Sequence, residues 1–302
     1  MIHCVTRTLF IWMTLLLFTS CERHEKAEVK KLKIGDVELA YYTRGHGDPL
    51  VMIMGFRGTL ASWDPAFLEA LEKRFTLILF DNRGIGLSTD TEAPLTIAQM
   101  AQDTAQLIKT LGYSRAHVLG WSMGARIGLT MALEHPEVID HLILCSPNAG
   151  GPNQVQKDPK VYAVLLQKEV PKKEGLALLF PSTIQGIQAA GGFVFRVAYA
   201  IAMGSVPNDR EHKEEIVERQ ADALRRWGDS NAILDRLPEI KTPTLLAGGL
   251  EDALDPAENM QTVAQRLPYA WTAYFAGNGH AFLFQEYERF SQLIEIFIDS
   301  TQ

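Results

Sequence analysis

Six short, uninterrupted apolar runs recur along this chain, and helical periodicity fills much of the space between them. The runs are Leu50–Met54, Thr76–Phe80, Ala116–Gly120, His141–Cys145, Thr244–Gly248 and Trp271–Phe275. A strand with one face in water alternates apolar and polar residues, so a continuous run reads as a strand covered on both faces. Between two of them, Ile97, Met100, Ala101, Thr104, Leu107, Ile108 and Leu111 fall at three- and four-residue spacings, one face of a helix. Strands alternating with helices predict an α/β fold, a mostly parallel central sheet flanked by helices. The alternation stops between about residues 148 and 235. There the apolar stretches Val161–Leu166, Leu176–Phe180 and Phe193–Met203 read as helices, with charged turns such as His212–Gln220 between them. This predicts a helical cap over 148–235, inserted into a sheet domain made of 34–147 and 236–302. Such a cap can cover a site at the strand ends, where open α/β sheets bind ligands.

The 302 residues, 47% of them hydrophobic, suffice for one domain with an insertion. The net charge is −7 and no Lys/Arg stripe could neutralise a phosphate backbone, which argues against nucleic acid as a partner. No metal-spaced His/Cys cluster, P-loop or G-x-G-x-x-G motif after a strand occurs, so no metal or cofactor is expected.

At the start of the chain, His3 and Arg7 precede an apolar run from Leu9 to Phe18. Ten residues fall short of the roughly 20 that span a bilayer, and match the apolar region of a secretion signal. Phe18-Thr19-Ser20-Cys21 then resembles the lipobox of bacterial lipoproteins, with Phe18 standing where an aliphatic residue is usual. The resemblance implies a signal peptide over 1–20, lipidation of Cys21 and a charged tether over 21–33. It also implies membrane anchoring in the bacterial cell envelope, on a periplasmic or extracellular face. A plain cleaved signal and an uncleaved anchor are the other readings. Cys4 would leave with the signal, and Cys145 stands alone in an apolar run, so no disulfide framework is expected.

The strongest local signal is Gly120-Trp121-Ser122-Met123-Gly124, which follows a strand-like run and opens a helical period. A sharp strand-to-helix turn needs small neighbours, and it lifts the serine above the sheet at a helix N-terminus, where developing negative charge is favoured. A serine hydroxyl is a poor nucleophile without a base. His280 suits that role, because it follows the Gly-rich loop Phe275-Ala276-Gly277-Asn278-Gly279 leaving the last strand run. The base needs an acid to hold its tautomer. Glu251, Asp252 and Asp255 compete for this position beyond Thr244–Gly248. Asp255 is the favoured cap for a helix beginning near Pro256. Arg57 and Arg83 read as structural charges or solvated loop charges, ahead of a role in binding a substrate carboxylate.

These motifs together resemble the α/β-hydrolase family from about Ile34 to Phe297. Ser122, an acid and His280 appear in the family's order. Asp81-Asn82-Arg83-Gly84-Ile85-Gly86-Leu87-Ser88 is similar to its D-x-R-G-x-G-x-S loop. Gly249-x-x-Asp252 and Gly277-x-Gly279-His280 match its acid and histidine loops, and this selects Asp252. The resemblance implies an oxyanion hole from the backbone N–H groups of Met123 and of Phe56, in Met54-Gly55-Phe56-Arg57-Gly58. Many relatives have His at the place of Met54. The implied activity is hydrolysis of a carboxylic ester, or a related small acyl compound, through an acyl-enzyme. Lactonase, thioesterase, amidase, carbon–carbon hydrolase and cofactor-free perhydrolase chemistry use the same triad. A noncatalytic binding lipoprotein on the same fold is the alternative of a different class.

Overall fold

The computed structural model describes residues 26–156, 158–208 and 214–301. The expected signal peptide and Cys21 lie outside the described residues. Strands β1 (Lys30–Ile34), β2 (Val37–Gly45) and β3 (Asp48–Ile53) come first, then α1 (Pro65–Leu71) and β4 (Phe75–Phe80). Next are α2 (Ile97–Thr110), β5 (Ala116–Trp121), α3 (Met123–Glu134) and β6 (Ile139–Cys145). Four helices follow: α4 (Pro159–Leu165), α5 (Lys172–Leu179), α6 (Ile184–Met203) and α7 (Glu214–Gly228). The chain then returns through β7 (Thr244–Gly249), α8 (Ala257–Ala264), β8 (Ala270–Phe275), α9 (Phe282–Gln285) and α10 (Tyr287–Ser300).

The described strands form one sheet in the order β1-β2-β4-β3-β5-β6-β7-β8. From β4 to β8 every pairing is parallel, whereas β1–β2 and β2–β4 are antiparallel. The chain steps from β3 to β4 on one side and to β5 on the other. This reversal opens a crevice beyond the carboxyl ends of β3 and β5, the place where such sheets take ligands.

The two cores follow from the period-2 alternation of a strand. Val51 and Ile53 of β3 join Ala116 and Val118 of β5 in one cluster, with Met100, Leu107, Ile127 and Val263 of α2, α3 and α8. Leu50, Met52, Leu119 and Trp121 point the other way, to Phe67, Phe282, Phe290 and Phe297 of α1, α9 and α10. Burial on both faces accounts for the continuous apolar runs of β3 to β7.

Four expectations need correction. The tether does not extend to residue 33, because Lys30–Ile34 pairs with β2 through Leu32 opposite Leu39 and Ile34 opposite Val37. Its lysines hide the strand and also protect a sheet edge. The charged stretch His212–Gln220 is not a turn from Glu214 onward, since α7 begins there. Its buried Ile216, Val217, Gln220 and Ala223 are a helical stripe thinly spaced among charges. The third helix of the 148–235 region begins at Ile184, capped by Thr183, whose hydroxyl accepts from the Gly186 N–H at 3.1 Å. Finally, β8 is an edge strand and not a buried one: Trp271 is 40% and Tyr274 42% exposed.

Candidate active site

Ser122 stands between β5 and α3 with φ 58° and ψ −114°, a conformation that L-residues rarely adopt. The turn holds because its neighbours have no side chains. A Cβ on Gly120 would lie 2.2 Å from the Gly124 carbonyl oxygen, and one on Gly124 2.0 Å from that of Ile53. The Ser122 N–H donates to the Cys145 carbonyl at 2.9 Å, which fixes the turn to β6.

Asp252 and His280 arrive from the loops beyond β7 and β8, which are bonded to each other. The N–H of Leu250 donates to Phe275 O and that of Glu251 to Asn278 O, both at 3.0 Å. His280 Nδ1 then lies 2.7 Å from Asp252 Oδ2, with both residues buried. Ser146 Oγ donates to the same oxygen at 2.8 Å. Asp252 Oδ1 accepts from the backbone N–H groups of Leu254 and Asp255 at 2.8 and 2.9 Å. Burial pushes the Asp252 carboxyl up, but the charge and hydrogen bond of His280, the Asp255 N–H and Ser146 outweigh it and hold the pKa below its ordinary value. An ionised Asp252 can only accept, so His280 Nδ1 carries the proton and donates it, leaving Nε2 as the basic nitrogen.

Asp255, the rival carboxylate, lines the same cavity as Ser122 but has other partners. It accepts from Arg126 Nη2 at 2.9 Å and from Asn148 Nδ2 at 3.2 Å. It does not cap the following helix, whose N-cap is Pro256. Arg126 is itself buried, and this ion pair occupies the Asp255 carboxylate.

A Cβ on Gly55 would lie 3.2 Å from Ser122 Cβ, so the loop after β3 passes directly beside the serine. Met123 opens α3, where a first-turn N–H has no intrahelical acceptor. Gly55, Phe56, Ser122 and His280 line one cavity of about 540 Å³, and Tyr162 and Leu165 of α4 form part of its wall.

The two arginines take structural positions. Arg83 pairs with the buried Asp103 at 2.5 Å and with Asp36 at 3.1 Å. Arg57 Nη1 donates to the carbonyls of Leu165 and Gln167 at 3.1 and 2.8 Å, and Nη2 to that of Lys168 at 2.8 Å. Ser146 and the Arg126–Asp255 pair escaped the sequence reading. Ser146 directly follows a strand run at the sheet's carboxyl edge, which was the available signal. Nothing local pairs Arg126 with Asp255, 129 residues away.

The model of the α/β hydrolase fold family matches residues 48–287. The RutD protein of Azorhizobium caulinodans, named as a carbamate hydrolase, is 29% identical over 252 residues, 82% of this chain and 90% of that one. An α/β hydrolase fold protein from Chitinophaga pinensis superposes with a TM-score of 0.80 at 26% identity, covering 92% of this chain and 99% of that one. A thermophilic esterase from Thermogutta terrifontis shares the fold with a TM-score of 0.67 at 24% identity, covering 91% and 99% of the two chains. A mostly parallel sheet with a strained serine at the end of β5, together with a family match over most of its length, makes this chain a hydrolase belonging to the α/β-hydrolase fold family.

Proposed function

We propose that the chain is a serine hydrolase that cleaves a carboxylic ester, or a closely related acyl compound, through an acyl-enzyme on Ser122. The observation that carries this reading is the 2.7 Å pairing of His280 Nδ1 with Asp252 Oδ2, on loops that face the cavity lined by Ser122. His280 Nε2 takes the Ser122 proton as Oγ attacks the carbonyl carbon. The Phe56 and Met123 N–H groups receive the oxyanion, a contribution of about 2.7–4 kcal/mol per donor. The leaving alcohol departs with the proton from His280, and water, deprotonated by the same nitrogen, releases the acid. Carbamates present the same kind of carbonyl, so the name of RutD makes them a natural member of the substrate panel.

The test is Ser122→Ala, assayed on a panel of esters of graded acyl length and with a fluorophosphonate label. Turnover and labelling should both disappear. A variant that still hydrolyses esters at the original rate would refute the assignment.

A further inference from the structure

Helix α6 holds a single charged side chain among twenty residues, Arg196. That guanidinium is bound at 2.5 Å to Asp64, whose side chain is fully buried. On the same inner side Phe193 stacks on Phe284 at 5.2 Å, and Val197 and Ala200 are buried. The outer side is different. Ile184 (72%), Ile187 (63%), Phe195 (70%), Tyr199 (50%) and Met203 (47%) are exposed, and they recur at helical spacing along one stripe. The stripe runs the roughly 30 Å length of the helix. Gln188 and Gly191 interrupt it midway, leaving an exposed apolar cluster at each end of the helix, and exposed apolar clusters of this kind mark a place of interaction.

The path of the chain indicates what covers it. The Ala27 N–H donates to Gly204 O at 3.0 Å, so the described chain starts against the residue that ends α6. Cys21 is six residues before Ala27, a covalent reach of at most about 20 Å. A lipid on Cys21 would therefore hold this end of α6 close to a membrane surface. By length and composition α6 could itself cross a bilayer, but the Arg196–Asp64 pair and the Phe193–Phe284 stack lay it flat on the sheet domain.

We propose that the outer face of α6 is a membrane-docking surface, seated on the lipid bilayer to which Cys21 anchors the chain. Ile184, Ile187, Phe195, Tyr199 and Met203 enter the boundary between headgroups and acyl chains, at a depth of about 5–10 Å. The exposed stripe of α6 itself carries no basic residue, so apolar burial drives the contact. The proposal goes beyond the ester-hydrolase reading and is read out without any turnover.

The full chain is taken from bacterial membranes and reconstituted into phosphatidylethanolamine–phosphatidylglycerol vesicles with brominated acyl chains. A fluorophore is placed by Phe195→Cys, or by Tyr269→Cys beside β8 as control; Cys145 is fully buried and stays unlabelled. The Phe195→Cys probe should be quenched by the brominated chains and shift to the blue, equally at low and high salt. The control probe should remain in water. A water-exposed probe at 195 overturns the proposal. So does a probe at 195 that is shielded without lipid in a dimeric protein, since a second copy would then own this face.

Discussion

Arg126 holds Asp255 in a buried ion pair at 2.9 Å, joining the helix behind Ser122 to the loop that carries Asp252. Removing one partner strands the other charge out of water, at a cost of about 3–5 kcal/mol. Asp255→Ala should therefore lower the urea midpoint sharply while its backbone N–H still serves Asp252. Asp252→Asn should do the opposite, with stability largely kept and kcat reduced by about 10⁴. Equal losses of kcat in both variants would show that the two carboxylates have been assigned wrongly.

Ser146 touches the acid and stays off the cavity wall, so Ser146→Ala tests a positioning role. Its hydroxyl donates to the charged form of Asp252, and losing a donor to the charged form raises a carboxylate's pKa. The acid limb of kcat/KM should consequently move to higher pH, with Ser146→Thr restoring it. A pH–rate profile decides the matter, because a purely structural residue would lower the plateau without shifting the limb.

Arg57 connects the loop beside Ser122 to the far end of α4 through three carbonyl acceptors. A lysine cannot reproduce that planar fork. Losing about 1.4 kcal/mol of hydrogen bonding corresponds to roughly tenfold in binding, so Arg57→Lys should raise KM by that factor. The triad loops are untouched, so kcat should change less. Steady-state kinetics with a long-chain ester would expose an error if KM stayed constant.

His117 and His141 meet across β5 and β6 with their Nδ1 atoms 3.2 Å apart. One ring donates and the other accepts, so a further proton would set two donors against each other. Burial, reinforced by His141, pushes His117 down to about 4. In the unfolded chain it titrates near 6.5. Between these values the unfolded state binds a proton that the folded state refuses, so stability falls as the pH drops from 6.5 to 4 and levels off below. The loss is on the order of 3 kcal/mol. Thermal melts across this window should show the decline, and His117→Gln should flatten it.

Legibility of the sequence followed the range of the forces involved. The buried strands were readable because double-sided burial writes itself as an apolar run. Ser122 and His280 were readable because tight turns demand glycine at fixed offsets. β1 was missed because its edge lysines resemble a solvated tether, and α7 because charges outnumber its buried stripe. Asp252 and Asp255 could not be separated from residues alone. What separates them is Arg126, brought from another strand–helix junction by the fold.

The N–H of Ala281 donates to the carbonyl of Leu179 at 2.9 Å, bolting the loop of His280 to the last residue of α5. The helix whose Leu179 lines the cavity and the loop that presents His280 are thus joined directly. Grafting a foreign cap onto this sheet to change selectivity would drag the histidine with it. Recombination between relatives should succeed only at seams that transfer 159–228 together with the segment 277–281, which makes selectivity and rate evolve as a linked pair.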